Sequence, residues 1–218
     1  MAFATSIPEI SERISKVAES RKMGGKIAKN YANVPHRFYM VNTANNSQIL
    51  VPRVSSIRRD YIPIGYVTPE AIIADSAQAI YDPEPEVFSL ITSKMHMIWV
   101  DTLGGKLETR FRYSSTLCYN TFPFPKIDKR QEELLSQYVF DILATRANHI
   151  GKTLKWMYDR NTMPNDLKQA HQALDKAIEQ CYRLQPFNSD NERLEYLFKL
   201  YEKMIAEEAS NPTPKKAK

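Results

Sequence analysis

The stretch Gly104-Gly-Lys-Leu-Glu-Thr-Arg-Phe-Arg-Tyr-Ser114 decides how the rest of the chain is read. Side chains of an extended strand alternate between its faces, so an unbroken strand here predicts Leu107, Thr109, Phe111 and Tyr113 on one side. Glu108, Arg110, Arg112 and Ser114 then fall on the other. The first set suits a core. The second presents a carboxylate and two guanidinium groups spaced ~7 Å apart, at ~3.3 Å of rise per residue. That spacing is close to two base steps along one strand of duplex DNA, at ~3.4 Å each.

Two readings of this row are open. An arginine fork can bind guanine O6 and N7 together, and a carboxylate can accept from cytosine N4, so Glu108 with Arg110 could read a C·G pair. Equally, a half-exposed strand carries charges that do no more than pair across the sheet, each pair contributing ~0.2 to 1 kcal/mol.

Working outward, the paired glycines Gly104 and Gly105 predict a tight or positive-φ corner. Before them, Glu86 to Val100 reads as a mostly apolar helix buried against a sheet, with Lys94 and His96 at its edge. Pro83 to Pro85 leads into it, and the nearby acids Asp82 and Glu84 are assigned to the helix approach rather than to catalysis. Further upstream, short runs rich in Val, Ile and Tyr at 37–41, 48–54 and 61–67 read as strands of a mixed or antiparallel sheet. Residues 71–82 read as a strand and turn carrying Asp75, Ser76 and Gln78. Between two strands, Arg53, Ser55, Ser56, Arg58 and Arg59 gather hydroxyl and guanidinium groups in one loop. Such groups hold phosphates, and with Lys106 they form the candidate phosphate-binding set; a basic turn without a ligand remains the plain alternative.

At the start of the chain, residues 8–30 read as a helix broken at Gly24 and Gly25. Its apolar stripe of Ile10, Ile14, Val17 and Ala18 is thin, which predicts a neighbour outside this sequence. From Arg13 to Arg59 there are ten Lys or Arg against Glu19 alone, so the net charge of +5 is concentrated where an anionic partner would bind.

After the central stretch, Pro123 and Pro125 stop regular structure and set the domain boundary at 125/126. Beyond it the chain reads as a bundle. Asp128 with Gln131 forms a capping box opening a helix to Asn148, whose buried face is Leu134, Leu135, Tyr138, Val139 and Ile142. A short helix over 152–158 follows. The next runs over 164–182 with Leu167, Ala170, Leu174, Ile178 and Cys181 in register, and Ser189 with Glu192 caps the last. Sixteen basic residues against fourteen acidic ones from Lys126 onward give this part almost no net charge. The fold class is therefore α+β: a mixed or antiparallel sheet domain over 1–125, an all-α bundle over 126–210 and a disordered tail over 211–218.

Two cysteines without a pairing pattern predict a reduced, cytoplasmic protein, and the longest apolar run falls short of the ~20 residues that span a membrane. No Gly-rich phosphate loop or Cys-x-x-Cys occurs, and the four histidines lack metal-ligand spacing. No catalytic, cofactor-binding or metal-binding residue is assigned in this chain.

Three long runs carry a family resemblance: Leu50-Val-Pro-Arg-Val-Ser-Ser-Ile-Arg-Arg-Asp-Tyr-Ile-Pro-Ile-Gly65, Asp75-Ser-Ala-Gln-Ala-Ile-Tyr-Asp-Pro83, and Gly104 through Pro125. They resemble the target recognition domain of MmeI-like, type IIL restriction-modification enzymes. Gly151-Lys-Thr-Leu with Tyr158-Asp resembles the C-terminal helical domain of the same enzymes. The resemblance implies a parent polypeptide with a nuclease domain, a methyltransferase domain making N6-methyladenine from S-adenosylmethionine, and then these two parts. Mg2+ and S-adenosylmethionine are implied for the parent. The partners implied are double-stranded DNA and the rest of that polypeptide, with the present chain starting partway through the recognition domain. In the family a Glu-x-Arg pair, replaced by Lys-x-Asp where specificity differs, contacts a base pair; it falls on Glu108 and Arg110. Arg112 and Ser76 resemble a second specificity pair. The competing expectation is a subunit-docking helical module that does not touch DNA.

Overall fold

The computed structural model describes residues 2–38 and 41–210. The 37–41 strand reading and the 211–218 tail fall wholly or partly outside them. Two compact units divide between Thr43 and Ala44. In the first, α1 (Ala2–Thr5), α2 (Pro8–Met23) and α3 (Lys26–Asn30) form an open set of helices, broken at Gly24 and Gly25 as expected. No residue of α2 is buried. The Arg21 guanidinium instead donates to the carbonyls of Tyr31, Val34 and Arg37 and ties the following turn back onto the helix.

The second unit is α+β. One sheet has the antiparallel order β3-β1-β4, with β1 (Gln48–Pro52) between β3 (Gly65–Val67) and β4 (Ala77–Tyr81). The other has the order β2-β6-β5, built from β2 (Val54–Ser56), β6 (Arg110–Arg112) and β5 (Gly105–Leu107). Only Arg53 separates β1 from β2. Its amide donates to the Ser76 carbonyl at 3.1 Å and its carbonyl accepts from the Tyr113 amide at 2.8 Å, so one residue is hydrogen-bonded into the edge of both sheets.

The expected single helix before the glycines is two, α4 (Pro85–Ile91) and α5 (Lys94–Leu103), because the Ser93 hydroxyl caps the second by accepting from the His96 amide. His96 is not at an edge. It is fully buried, its Nε2 lies 3.0 Å from the Tyr113 hydroxyl, and its ring packs edge-on against Phe122.

Past an isolated π-turn at Ser115–Tyr119, the helical part follows the sequence reading closely: α6 (Lys129–Asn148), α7 (Leu154–Met157), α8 (Asn165–Tyr182) and α9 (Asp190–Ser210). The Asp128–Gln131 capping box is formed in both directions. On α6, Leu135, Val139 and Ile142 are buried, but Leu134 is half exposed, one position off the stripe. Residues on both sides of the expected 125/126 boundary belong to this unit. Ile49, Phe88, Trp99 and Phe122 share one continuous apolar core with Leu135, Leu167 and Ile178.

Candidate nucleic-acid interface

The central stretch is a hairpin, not a single strand. β5 and β6 pair in the register Gly105↔Arg112, Lys106↔Phe111, Leu107↔Arg110, which leaves Glu108-Thr109 as a two-residue connection. Glu108 has φ +55. The first position of such a loop is where positive φ is needed and where glycine is usual. The corner before it is tight for a different reason from the one expected. Gly104 has φ −64, but a Cβ there would lie 2.4 Å from the Val100 carbonyl oxygen, so the helix end and the strand approach too closely for any side chain.

Residues directly opposite one another in an antiparallel pair share a face. β2 pairs with β6 as Val54↔Arg112, Ser55↔Phe111 and Ser56↔Arg110. One face of the sheet therefore carries Arg110 and Arg112 with Val54, Ser56 and Leu107. The other carries Ser55, Phe111 and Lys106, with Phe111 and Ser55 buried. The sequence alternation holds from Arg110 to Tyr113 and fails before the turn, where Leu107 is half exposed.

The charged groups on and near the exposed side differ in their partners. Arg110 donates from Nη2 to Glu108 Oε2 at 2.6 Å. Arg53 pairs with Asp75 at 2.8 Å, and that carboxylate is 92% exposed. Arg112 forms no ion pair among the described residues. Ser76 is exposed, beside Asp75, and its carbonyl holds Arg53. Backbone bonds from Arg53 reach Ser76 at the edge of one sheet and Tyr113, next to Arg112, at the edge of the other. Asp75 carries no role in the sequence reading. Its signal was its place beside Ser76 in the turn that precedes β4.

The expected phosphate loop divides. Arg58 is its most exposed cation and lies 3.5 Å from Asp159. Ser56 uses its hydroxyl to accept the Arg58 amide. Ser55 points inward, where its hydroxyl accepts from Arg59 Nη1 at 3.0 Å. Burial pushes the Arg59 guanidinium down from its ordinary value, with Asp159 opposing the shift. Lys106 lies on the opposite face from the two arginines of β6 and pairs with Asp101 at 3.2 Å. Arg53 belongs with Asp75 rather than with this loop.

Asp82 also has positive φ, +46. Its carboxylate accepts from the amides of Asn45, Asn46 and Ser47, and those bonds hold it below the usual carboxylate range. It anchors the 45–47 turn, a role the sequence reading did not give it. Among the described residues no cluster of three or more His, Cys, Asp or Glu could hold a metal ion, and no helix is long and apolar enough to cross a membrane. Both cysteines are free thiols, with Cys118 buried.

A recognition sheet with an exposed charged hairpin, followed by a capped helical bundle, matches two consecutive family models. "MmeI, target recognition domain" covers residues 1–126 and "MmeI, C-terminal domain" covers 126–208. DNA methyltransferase A of Bacillus subtilis (strain 168) is 41% identical over 200 residues, which is 91% of this chain and 23% of that protein. A solved structure of the type IIL restriction-modification enzyme MmeI in complex with DNA superposes with a TM-score of 0.85 at 36% identity, over 92% of this chain and 27% of the enzyme. These features define a target recognition module joined to a helical domain. The chain belongs to the MmeI family of restriction-modification methyltransferases, and it spans about a quarter of the length of the relatives it matches.

Proposed function

We propose that this chain reads the sequence of duplex DNA for a polypeptide that methylates adenine at N6. What carries the reading is the exposed face of β6, with Arg112 and with Arg110 paired to Glu108, together with the Arg53–Asp75 pair just before β2 and Ser76, whose carbonyl holds Arg53. Two of these are cation–carboxylate pairs, the chemistry that reads a G·C pair from both of its bases. Holding each pair closed in the free protein contributes only ~0.2 to 1 kcal/mol at such exposure, so opening it onto a base costs little. A bidentate base contact discriminates by ~1 to 3 kcal/mol. Arg58 serves the phosphates, with Ser56 and Arg59 shaping its loop; Ser55 and Lys106 are left out of the contact set by the faces they occupy.

The similarity of the chain to an enzyme solved with DNA and to a DNA methyltransferase supports this reading. The methyl donor and Mg2+ belong to other parts of the parent polypeptide, along with any nuclease activity; no residue of this chain is assigned to hold either. In the polypeptide that carries this chain, Glu108→Lys combined with Arg110→Asp should change the base accepted at one position of the methylated site. A methylation motif left unaltered would refute the assignment. Titration of the 218-residue chain with duplex DNA at two salt concentrations distinguishes a subunit-docking module, for which no salt-dependent binding is expected.

A further inference from the structure

Of the four chain segments that join the reading sheet to the rest of its unit, two lead to one carboxylate on α8. β2 runs on into residues 57–64, where the Tyr61 hydroxyl donates to Asp175 Oδ2 at 2.6 Å. β5 is entered from α5, whose first amide, that of Lys94, donates to Asp175 Oδ1 at 2.6 Å. α5 is in turn held to the end of β6 by the contact between His96 Nε2 and the Tyr113 hydroxyl, one residue beyond Arg112. Around this point the helical part adds further ties to the same segment. Tyr61 stacks on His171 of α8 with centroids 4.2 Å apart. Arg160 pairs with Asp60 at 2.9 Å, and buried Arg146 of α6 donates to the Ile64 carbonyl at 2.8 Å while holding the Tyr158 hydroxyl. Both oxygens of Asp175 bond outside α8, to two of the chain segments that flank the base-reading strands.

We infer that Asp175 is a positioning residue for sequence discrimination: from the C-terminal helical domain it fixes the angle at which β6 presents Arg110 and Arg112. The inference rests on the DNA-reading function proposed above. Its consequence is that specificity is set in part by a residue that touches no base, on a helix that lies outside the recognition domain match.

The test uses the whole chain with Asp175→Ala, Asp175→Asn and Tyr61→Phe. Asparagine can still accept from the Lys94 amide and can donate to the Tyr61 oxygen, so it should restore what alanine removes. In amide hydrogen exchange, Asp175→Ala is expected to speed exchange about ten- to a hundredfold in residues 53–64 and 110–113, leaving the α6 and α9 amides near wild type. Tyr61→Phe, which keeps the ring and removes one bond, should do the same for 53–64 while the Lys94 amide stays protected; it decides the matter if the alanine variant does not fold. In a second arm, a duplex selected from a randomised library by the wild-type chain is compared with its single-base variants. Asp175→Ala should lower that discrimination at least about threefold with an unchanged salt slope, and Asp175→Asn should recover it. Faster exchange spread evenly over the molecule, or discrimination and sheet exchange untouched by Asp175→Ala, would overturn the inference. Should the wild-type chain select no sequence, the DNA-reading function fails, and the exchange arm, which needs no DNA, still decides whether Asp175 holds the sheet.

Discussion

In the sheet β2-β6-β5, Arg110 and Arg112 flank a buried phenylalanine and stand in water, Arg110 with an acidic neighbour that is itself exposed. Between α6, α8 and the 57–64 segment, Arg146, Tyr158, His171 and Tyr61 are buried, Asp175 is half-buried, and all are bonded to one another or to backbone. The same residue types are held in opposite ways. A charge left exposed on strands of three residues contributes little to folding and is free for another molecule. A charge sealed between helices costs desolvation and stays only where hydrogen bonds satisfy it, so it fixes geometry. Substitutions should therefore separate the two regions cleanly, with stability lost in one and recognition lost in the other.

The widest separation is expected in the apolar layer beneath both. Phe122 is 1% exposed and packs against His96, Trp99 and Phe124, so Phe122→Ala should cost about 3 to 5 kcal/mol. Leu107, on the exposed face of the hairpin, should cost no more than about 0.5 kcal/mol as Leu107→Ala. Urea unfolding measures both, and similar values for the two would erase the distinction between core and reading surface.

The buried polar region should reveal itself through pH. Burial raises the Asp175 carboxyl to about 6, with the bonds from Tyr61 and Lys94 opposing the shift and Glu179 adding to it. Its folded-state value lies above its unfolded one, so its contribution to stability is full below pH ~3.9 and is lost as pH rises through about 6, by at most about 3 kcal/mol. Buried His96, held down to about 3, and His171, held well below its ordinary value, act with the opposite sign. Their contribution is present above pH ~6.5 and is lost on acidification. Asp175→Asn removes only the first effect. Relative to wild type it should gain up to about 3 kcal/mol between pH 4 and pH 7. A gap between the two midpoints that does not move with pH would mean that this carboxylate is solvated.

Much of this contrast was legible in the sequence, and its gaps have physical causes. Capping boxes and the 3.6-residue period placed α6, α8 and α9 to within a residue or two, because those signals are local. The hairpin was hidden because Glu108-Thr109 lacks the Asn or Gly of a two-residue turn, and the alternation around it continues without a break. His96 was misplaced because its partner Tyr113 is 17 residues away. Asp175 and His171 left a sign that went unused. The register of Leu167, Leu174 and Ile178 carries His171 onto the buried side of α8 and Asp175 to its half-buried edge, where a polar residue demands a partner.

On the reading surface, Arg112 gives the next test. With no ion pair among the described residues, its loss should leave urea midpoints within about 0.5 kcal/mol of wild type. Discrimination at one base pair should fall by about 1 to 3 kcal/mol. Arg58→Ala is the control: affinity should weaken alike for all sequences, with a smaller salt slope. If Arg112→Ala instead behaves like Arg58→Ala, it binds phosphate and the row of base readers shortens by one.

The smallest effect tests why a glutamate occupies the hairpin turn at all. Asp82 and Glu108 share a left-handed backbone, which a residue with a side chain adopts at a cost of ~1 to 2 kcal/mol. Asp82 offsets that cost inside the protein, since its carboxylate collects three backbone amides. Glu108 holds only the exposed Arg110, too weak a bond to explain the conformation. Strain without an internal return is expected where a side chain serves something outside the fold. Glu108→Gly should therefore stabilise the chain by up to about 1 kcal/mol while abolishing discrimination at the base pair proposed for Glu108 and Arg110, whereas Asp82→Gly should destabilise it. A Glu108→Gly variant less stable than wild type would show the carboxylate to be part of the fold, and the proposed exchange of Arg110 between Glu108 and a base would lose its basis.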